Sequence, residues 1–294
     1  MHWLSKRSTK IIMVLPALIL FVGFVIIPIF ISVYYSVTDF TGIGEAHFIG
    51  LKNYRVLFHD KFFFIALKNT FIILICITIT VLPISFLVAL LLEKSFKGSG
   101  IIQSMIFAPN VVAPILVGLI WLFILDPKMG LINAVLNGIG LEGWQQQWIG
   151  GQTLTPYAVA FVYLWQVLGF YTTINMAGLR SIPSDIYEAS QIDGANRVQQ
   201  VWRITIPMMK NTIVINTVLI ITGGFKIFET VQQLTNGGPN HVSDVLVTYM
   251  YHTTFTTSRY GYGMAIATVS FIFCLIFSII YLTKVNKSMH QEEG

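Results

Sequence analysis

Apolar residues fall in long unbroken blocks, with no alternation of polar and apolar positions. No Asp, Glu, Lys or Arg occurs in residues 11–38, 69–92, 98–125, 143–179, 211–225 or 260–283, and each of these gaps holds a dense apolar core. About 20 such residues at ~1.5 Å rise cross the hydrocarbon slab of a bilayer. The pattern therefore predicts an all-α integral membrane protein with six transmembrane helices, over about 11–35, 69–92, 101–125, 155–179, 212–234 and 262–283. Residues 1–10 and 284–294 form the two tails. The fifth span carries Gly223 and Gly224, with Lys226 and Glu229 just beyond. Polar groups at that depth belong on a helix facing protein or water, not lipid.

Composition sharpens this reading. Of 294 residues, 55% are hydrophobic and 11% charged, against roughly 25% charged in a soluble domain. Mean hydropathy is +0.72. These values exclude disordered, collagen-like and disulfide-scaffold classes. The net charge of +5 comes from scattered Lys and Arg with no basic run, which argues against a nucleic-acid partner. With six spans, Lys6, Arg7, Lys10, Lys94, Lys97, Arg180, Arg197, Arg203, Lys210, Lys284 and Lys287 share one side of the membrane. The other side holds Lys52, Arg55, Lys61, Lys68, Lys128 and Arg259. The richer side is cytoplasmic, so both termini are expected inside. The first apolar run exceeds a signal-peptide core and lacks a small-x-small cleavage site, and so reads as a retained anchor.

Catalytic and metal-binding patterns are missing. There is no H-E-x-x-H, no G-x-S-x-G and no phosphate-binding G-x-x-x-x-G-K-[ST]. The six histidines are dispersed, and Cys76 and Cys274 lie inside apolar runs as packing residues. The chain is not expected to be an enzyme. Outside the spans, Leu131, Ile132, Val135 and Leu136 repeat at helical spacing, while Thr235 to Pro239 must turn the chain. Val245, Tyr249, His252 and Phe255 then suggest an amphipathic helix outside the bilayer. Both loops are open to two readings, a lid over the helix ends or a surface for a partner.

The most informative segment is the long loop 180–211. Ser184 is placed to cap a helix after Pro183, Asp185 sits in its first turn, and Gly194 is placed to end it. A second amphipathic piece carries Val198, Val201, Trp202 and Ile206 up to Pro207. Two short helices folded at a glycine, with small Ala189, Ser190, Gly194 and Ala195, make a knob that another surface can approach closely. On the residues alone, an ordinary loop between spans fits as well.

Glu188-Ala189-Ser190, three residues, Gly194, nine residues, Ile204 and then Ile206-Pro207 resemble the E-A-A-x3-G-x9-I-x-L-P signature of permease subunits of bacterial ATP-binding-cassette importers. Tyr187, Asp193 and Ala195 extend the match toward the sugar-permease version. Asn69-Thr70-Phe71, Gly130-Leu131-Ile132-Asn133, Ala177-Gly178-Leu179 with Ile182-Pro183, and Leu234 to Pro239 add similarity to the maltose-permease-like family over most of the chain. Ser190 and Ile206 depart from the signature, and Asn211 stands where the family often has proline.

The resemblance implies a type I importer permease fold in the bacterial inner membrane. It also implies a second homologous permease subunit, two ATPase subunits and an extracytoplasmic sugar-binding protein. ATP and magnesium would be bound by the ATPase subunits, with no cofactor in this chain. The segment Tyr187, Glu188, Ala189, Ser190, Asp193, Gly194 and Ala195 would be the ATPase-coupling element. A sugar path needs aromatic faces and hydrogen-bonding groups, which Trp165, Gln166, Tyr171, Asn175, Lys226, Glu229 and Gln232 supply on the fourth and fifth spans. Lys226 and Glu229, three apart, could equally form a structural ion pair. The substrate is expected to be a carbohydrate, with a polyol or sugar phosphate as alternative. A stand-alone channel or secondary transporter is the rival class.

Overall fold

The computed structural model describes residues 7–292 apart from Ser95 and Gln152. Of the expected tails, residues 1–6 and 293–294 lie outside the described residues. The described residues are helical in the main, and their only β pairing is one isolated bridge between Thr38 and Phe48. They divide into two compact units. One holds the chain up to Phe63 together with Met250–Ile272; the other holds Phe64–Tyr249 and the chain from Phe273.

In the first unit, α1 (Arg7–Phe21) continues through a π turn, Val22–Ile26, into α2 (Ile27–Ser36). The π turn precedes Pro28, whose ring crowds the preceding turn and lacks an N–H. Thr9–Ser36 is thus one apolar rod of 28 residues. Its exit is tied down by Asn53 of α3 (Lys52–Leu57), whose amide donates to Ser36 O at 2.9 Å and Thr38 O at 2.8 Å. α4 (Lys61–Glu93) begins where Asp60 accepts the Phe62 N–H at 2.9 Å, an N-terminal cap.

The expected unbroken third span is instead two helices. α5 (Ser99–Val111) and α6 (Pro114–Leu125) meet at 98°. Pro114 opens α6, and Val112 and Ala113 before it are extended (ψ 133° each), because proline bars the residue preceding it from the helical region. α7 (Leu131–Gly138) is the short helix that the spacing predicted. α8 (Thr155–Arg180) follows. Its Gly169 lets it press on α5: a Cβ there would stand 2.4 Å from Ile106 O and from Phe107 Cα.

The long loop folds as α9 (Ser184–Ile192), α10 (Arg197–Gln200), a π turn Val201–Thr205 and α11 (Ile206–Met208), bent by 67° from α12 (Lys210–Phe225). Here too the π turn immediately precedes an Ile-Pro pair. The fifth span does not run to Leu234 as expected. It stops at Phe225, and α13 (Glu229–Thr235) starts after a three-residue break. The break lies beyond Gly223 and Gly224, which stay helical because they serve packing: a Cβ on Gly224 would meet Leu74 Cδ1 at 2.7 Å. α14 (Leu246–Tyr251) and a π turn, His252–Thr256, replace the expected free amphipathic helix. Val245 and Tyr249 are buried, whereas Phe255 is 57% exposed. α15 (Tyr260–Glu292) ends the fold.

Among the described residues four helices are long and apolar enough to cross a membrane singly, and up to six spans result if each bent pair counts as one. Inside the second unit, a polar chain crosses three helices. Asn216 of α12 donates to Asn175 of α8 at 2.8 Å, and Asn175 donates to Ser85 of α4 at 3.0 Å. All three are buried. In an apolar setting such bonds fix helix register, because each unpaired amide would be costly.

Candidate functional site

Three places on the second unit carry chemistry: the loop helix α9, a polar cavity between α5, α8 and α12, and the loops around Asn69 and Asn133.

The α9 knob is built from its ends. Pro183 (φ −59°, ψ 137°) is the cap residue and Ser184 the first helical residue, so Ser184 does not cap the helix; its hydroxyl donates to Asp185 at 3.3 Å. At the other end Gly194 (φ +81°) takes the left-handed conformation. Its N–H donates to Gln191 O at 3.0 Å, and the Ala195 N–H donates to Ser190 O at 2.9 Å. This pair of bonds is the Schellman stop. Asn196 then caps α10 reciprocally with Gln199, at 2.9 and 2.8 Å. Glu188, Ala189, Asp193 and Gly194 are exposed; Tyr187, Ser190 and Ala195 are half-buried against the fold. Beneath the knob, Ala89, Leu92, Met176, Leu179, Ile182 and Met209 form an apolar cluster that Tyr187 packs on.

The polar cavity has a volume of about 350 Å³ and is lined by Asn110, Tyr163, Phe170, Tyr171, Thr222 and Lys226, among others. An adjoining space of about 210 Å³ shares Asn110, Tyr163, Val167, Gly223 and Lys226, and adds Gln166 and Glu229. Four of the seven path residues read from sequence, Gln166, Tyr171, Lys226 and Glu229, therefore meet here. The other three stand elsewhere. Trp165 packs edge-on against Trp121 at 5.5 Å, Asn175 belongs to the buried amide chain, and Gln232 donates to Asn236. Lys226 and Glu229 form no helical ion pair, because the break places Lys226 at the end of α12 and Glu229 at the start of α13. Each sits at the helix end whose dipole favours its charge. Tyr163, Asn110 and Thr222 were missed. Tyrosine is common in this chain, and what marks this one is its closeness to Gly223, where a Cβ would stand 2.6 Å from the Tyr163 hydroxyl.

At the loops, two asparagines do most of the organising. Asn133 accepts from Trp148 Nε1 at 2.8 Å and from the Gln146 N–H at 3.3 Å, and its amide donates to Pro127 O and Gln146 O. Before it, the backbone N–H groups of Met129 and Lys128 hold the Asp126 carboxyl below the usual carboxylate range. Asn69 of α4 donates to Val242 O and Asp244 O at 2.9 Å each, and Thr70 accepts from the Leu246 N–H at 3.0 Å. This anchors the turn after α13, where Ser243 donates to Thr235 and Gly238 O. The two loops face one cleft of about 440 Å³, lined by Pro127, Gln147, Ile149, Leu234, Gly238 and Pro239 among others. Asn69→Ala leaves the buried Asp244 carbonyl and the half-buried Val242 carbonyl without their donor. It should loosen segment 242–248 by about 1–3 kcal/mol, read as faster amide hydrogen exchange there with unchanged exchange in α8.

Comparison with known proteins agrees with this architecture. Residues 81–290 match the family model described as "Binding-protein-dependent transport system inner membrane component". A probable ABC transporter permease protein, YurN of Bacillus subtilis (strain 168), is 35% identical over 95% of this chain and 96% of its own. The trehalose/maltose transport system permease protein MalF of Thermococcus litoralis is 30% identical over 95% of each chain. A chain of the bacterial alginate ABC transporter, crystallised in complex with an alginate pentasaccharide-bound periplasmic protein, shares the fold with a TM-score of 0.79 at 24% identity. That match covers 97% of this chain and 94% of the other. With two-thirds of its length inside the family model and near-complete coverage by relatives at this identity, the chain belongs to the family of inner-membrane components of binding-protein-dependent transport systems.

Proposed function

We infer that this chain is one of two permease subunits of an ATP-driven, binding-protein-dependent sugar importer, multi-pass in the cytoplasmic membrane with both termini inside. The observation that carries the reading is the α9 knob. Its exposed Glu188, small Ala189 and left-handed Gly194 project from the loop that carries Arg180, Arg197, Arg203 and Lys210, and Ile192, Val198 and Trp202 on the same loop expose apolar side chains. A cleft on an ATPase subunit, with a cation for Glu188, would cover such a surface. ATP and magnesium are held by the two ATPase subunits, and this chain contributes contacts, not catalysis. Closure of the ATPase pair draws the two knobs together, tilts the spans and opens the polar cavity toward the sugar-binding protein, which docks over the outer cleft. Relatives that transport trehalose and maltose favour a sugar over a polyol or sugar phosphate.

Purification of the tagged chain should bring along a second permease and an ATPase, and sugar-loaded binding protein should stimulate ATP hydrolysis. Isolation of the chain alone, with sugar flux that needs no ATP, would instead establish a channel or secondary transporter. Orientation is tested separately with single cysteines in a background lacking Cys76 and Cys274. An impermeant thiol reagent added to intact cells should label positions 138 and 240 and leave 199 unlabelled; labelling at 199 reverses the topology.

A further inference from the structure

Between Ile192 and Arg197 the two loop helices are joined only by a short turn, so backbone alone does not fix the angle between them. Side chains do. The Gln200 amide, 8% exposed, donates one hydrogen to Ser190 Oγ at 2.8 Å and the other to Tyr187 O at 3.4 Å. The Ser190 hydroxyl spends its own hydrogen on Tyr187 O at 2.8 Å, leaving its lone pairs to accept from Gln200. Further along, the Thr205 hydroxyl donates to Gln200 O at 3.3 Å, so the contact of 3.0 Å between the Tyr187 and Thr205 hydroxyls is donated by Tyr187. Every hydroxyl hydrogen in the network has one destination. Ser190 is also the position where this chain departs from the E-A-A signature, and an alanine there would leave one hydrogen of the buried Gln200 amide without its acceptor.

We propose that Ser190, Gln200, Tyr187 and Thr205 form a latch that makes α9 and the segment from α10 to α11 a single rigid lever. Through the bend at Met209 this lever carries displacement of the knob into α12, the helix that Lys226 caps. Gln200, buried against α9, is a positioning residue that acts through Ser190. The proposal rests on α9 being the ATPase contact, but the lever's stiffness is a property of this chain alone and can be measured without partners.

The test uses Ser190→Val and Ser190→Thr, close in shape and differing in the hydroxyl. In the full-length chain, spin labels at positions 185 and 202 report the distance distribution between the two helices. Ser190→Val should broaden it, while Ser190→Thr should reproduce the parent. In the reconstituted importer, Gln200→Met should keep the ATPase bound and hydrolysing, with sugar moved per ATP reduced roughly threefold to tenfold, as loss of one hydrogen bond implies, and Ser190→Val should lower the same ratio. Ser190→Thr should restore the ratio. Gln200→Met should behave as Ser190→Val in both measurements. An unchanged label distance in both Ser190→Val and Gln200→Met overturns the latch. So does a normal ratio of sugar to ATP, or loss of the ATPase from the complex, which would make Ser190 a docking residue. Failure of the coupling reading itself shows differently, as retention of the ATPase by Glu188→Lys.

Discussion

The double variant Gly194→Val, Glu188→Lys should lose sugar uptake and binding-protein-stimulated ATP hydrolysis by about 100-fold or more, with the chain still inserted in the membrane. The two halves act by different physics. An added Cβ at Gly194 meets no heavy atom within 4 Å, so crowding contributes nothing. The cost comes from φ +81°, a conformation that disfavours a β-branched residue by about 1–2 kcal/mol or more. The chain relieves it by undoing the Schellman stop and re-aiming α9. At Glu188, which is exposed in the isolated chain, reversing the charge sets like charges together in the proposed contact, a loss of about 2–5 kcal/mol when such a pair is desolvated. Gly194→Ala should fall between wild type and Gly194→Val. Affinity of the binding protein for sugar should not change, because that step takes place on another protein across the membrane. Normal coupled ATP hydrolysis in the double variant would reduce the knob to a connector.

What was legible in the sequence follows from which interactions are local. Charge-free gaps mark apolar helices because a single Lys or Asp in lipid is expensive. The stop at Gly194 is legible because one glycine after a helical run specifies a local backbone state, and the Asn196-x-x-Gln199 capping box was there to be read by the same logic. The bend between α5 and α6 was readable in principle from Pro114, but the apolar run masked it, since hydropathy is blind to direction. The fifth span failed in an instructive way. Gly223 and Gly224 are the residues at which a break would be sought, yet both remain helical, and Tyr163 and Leu74 on other helices occupy the space beside them. The cavity was legible only in half: Lys226 and Glu229 announce themselves as charges near an apolar segment, whereas Tyr163 and Asn110 become wall residues through packing between helices far apart in sequence. Asn175 shows the converse. It reads as a sugar ligand by type and proves to be committed on both sides, to Ser85 and Asn216.

Narrowing the polar cavity should slow uptake without dismantling the assembly, and Gly223→Ala is the smallest change that does so. The new methyl would lie 2.6 Å from the Tyr163 hydroxyl, with no backbone atom in its way. A side-chain tip yields more easily than a helix, so the ring of Tyr163 swings and the space shared by Asn110, Tyr163, Gly223 and Lys226 contracts. Folding does not suffer, since alanine favours a helix interior over glycine by about 0.5–1 kcal/mol. Uptake should therefore fall on the order of tenfold, equivalent to about 1.4 kcal/mol, while thermal stability holds or rises and the ATPase still co-purifies. Lys226→Met tests the same wall by chemistry. It removes a charged hydrogen-bond donor worth about 1.5–3 kcal/mol to a bound hydroxyl, and should cut uptake by about tenfold to a hundredfold, with Lys226→Arg recovering part of it. Unchanged uptake in both Gly223→Ala and Lys226→Met would place the sugar path elsewhere. Loss of the second permease from the Lys226→Met complex would assign Lys226 to the contact between subunits, because a lysine that lines a path can be replaced without separating the two chains.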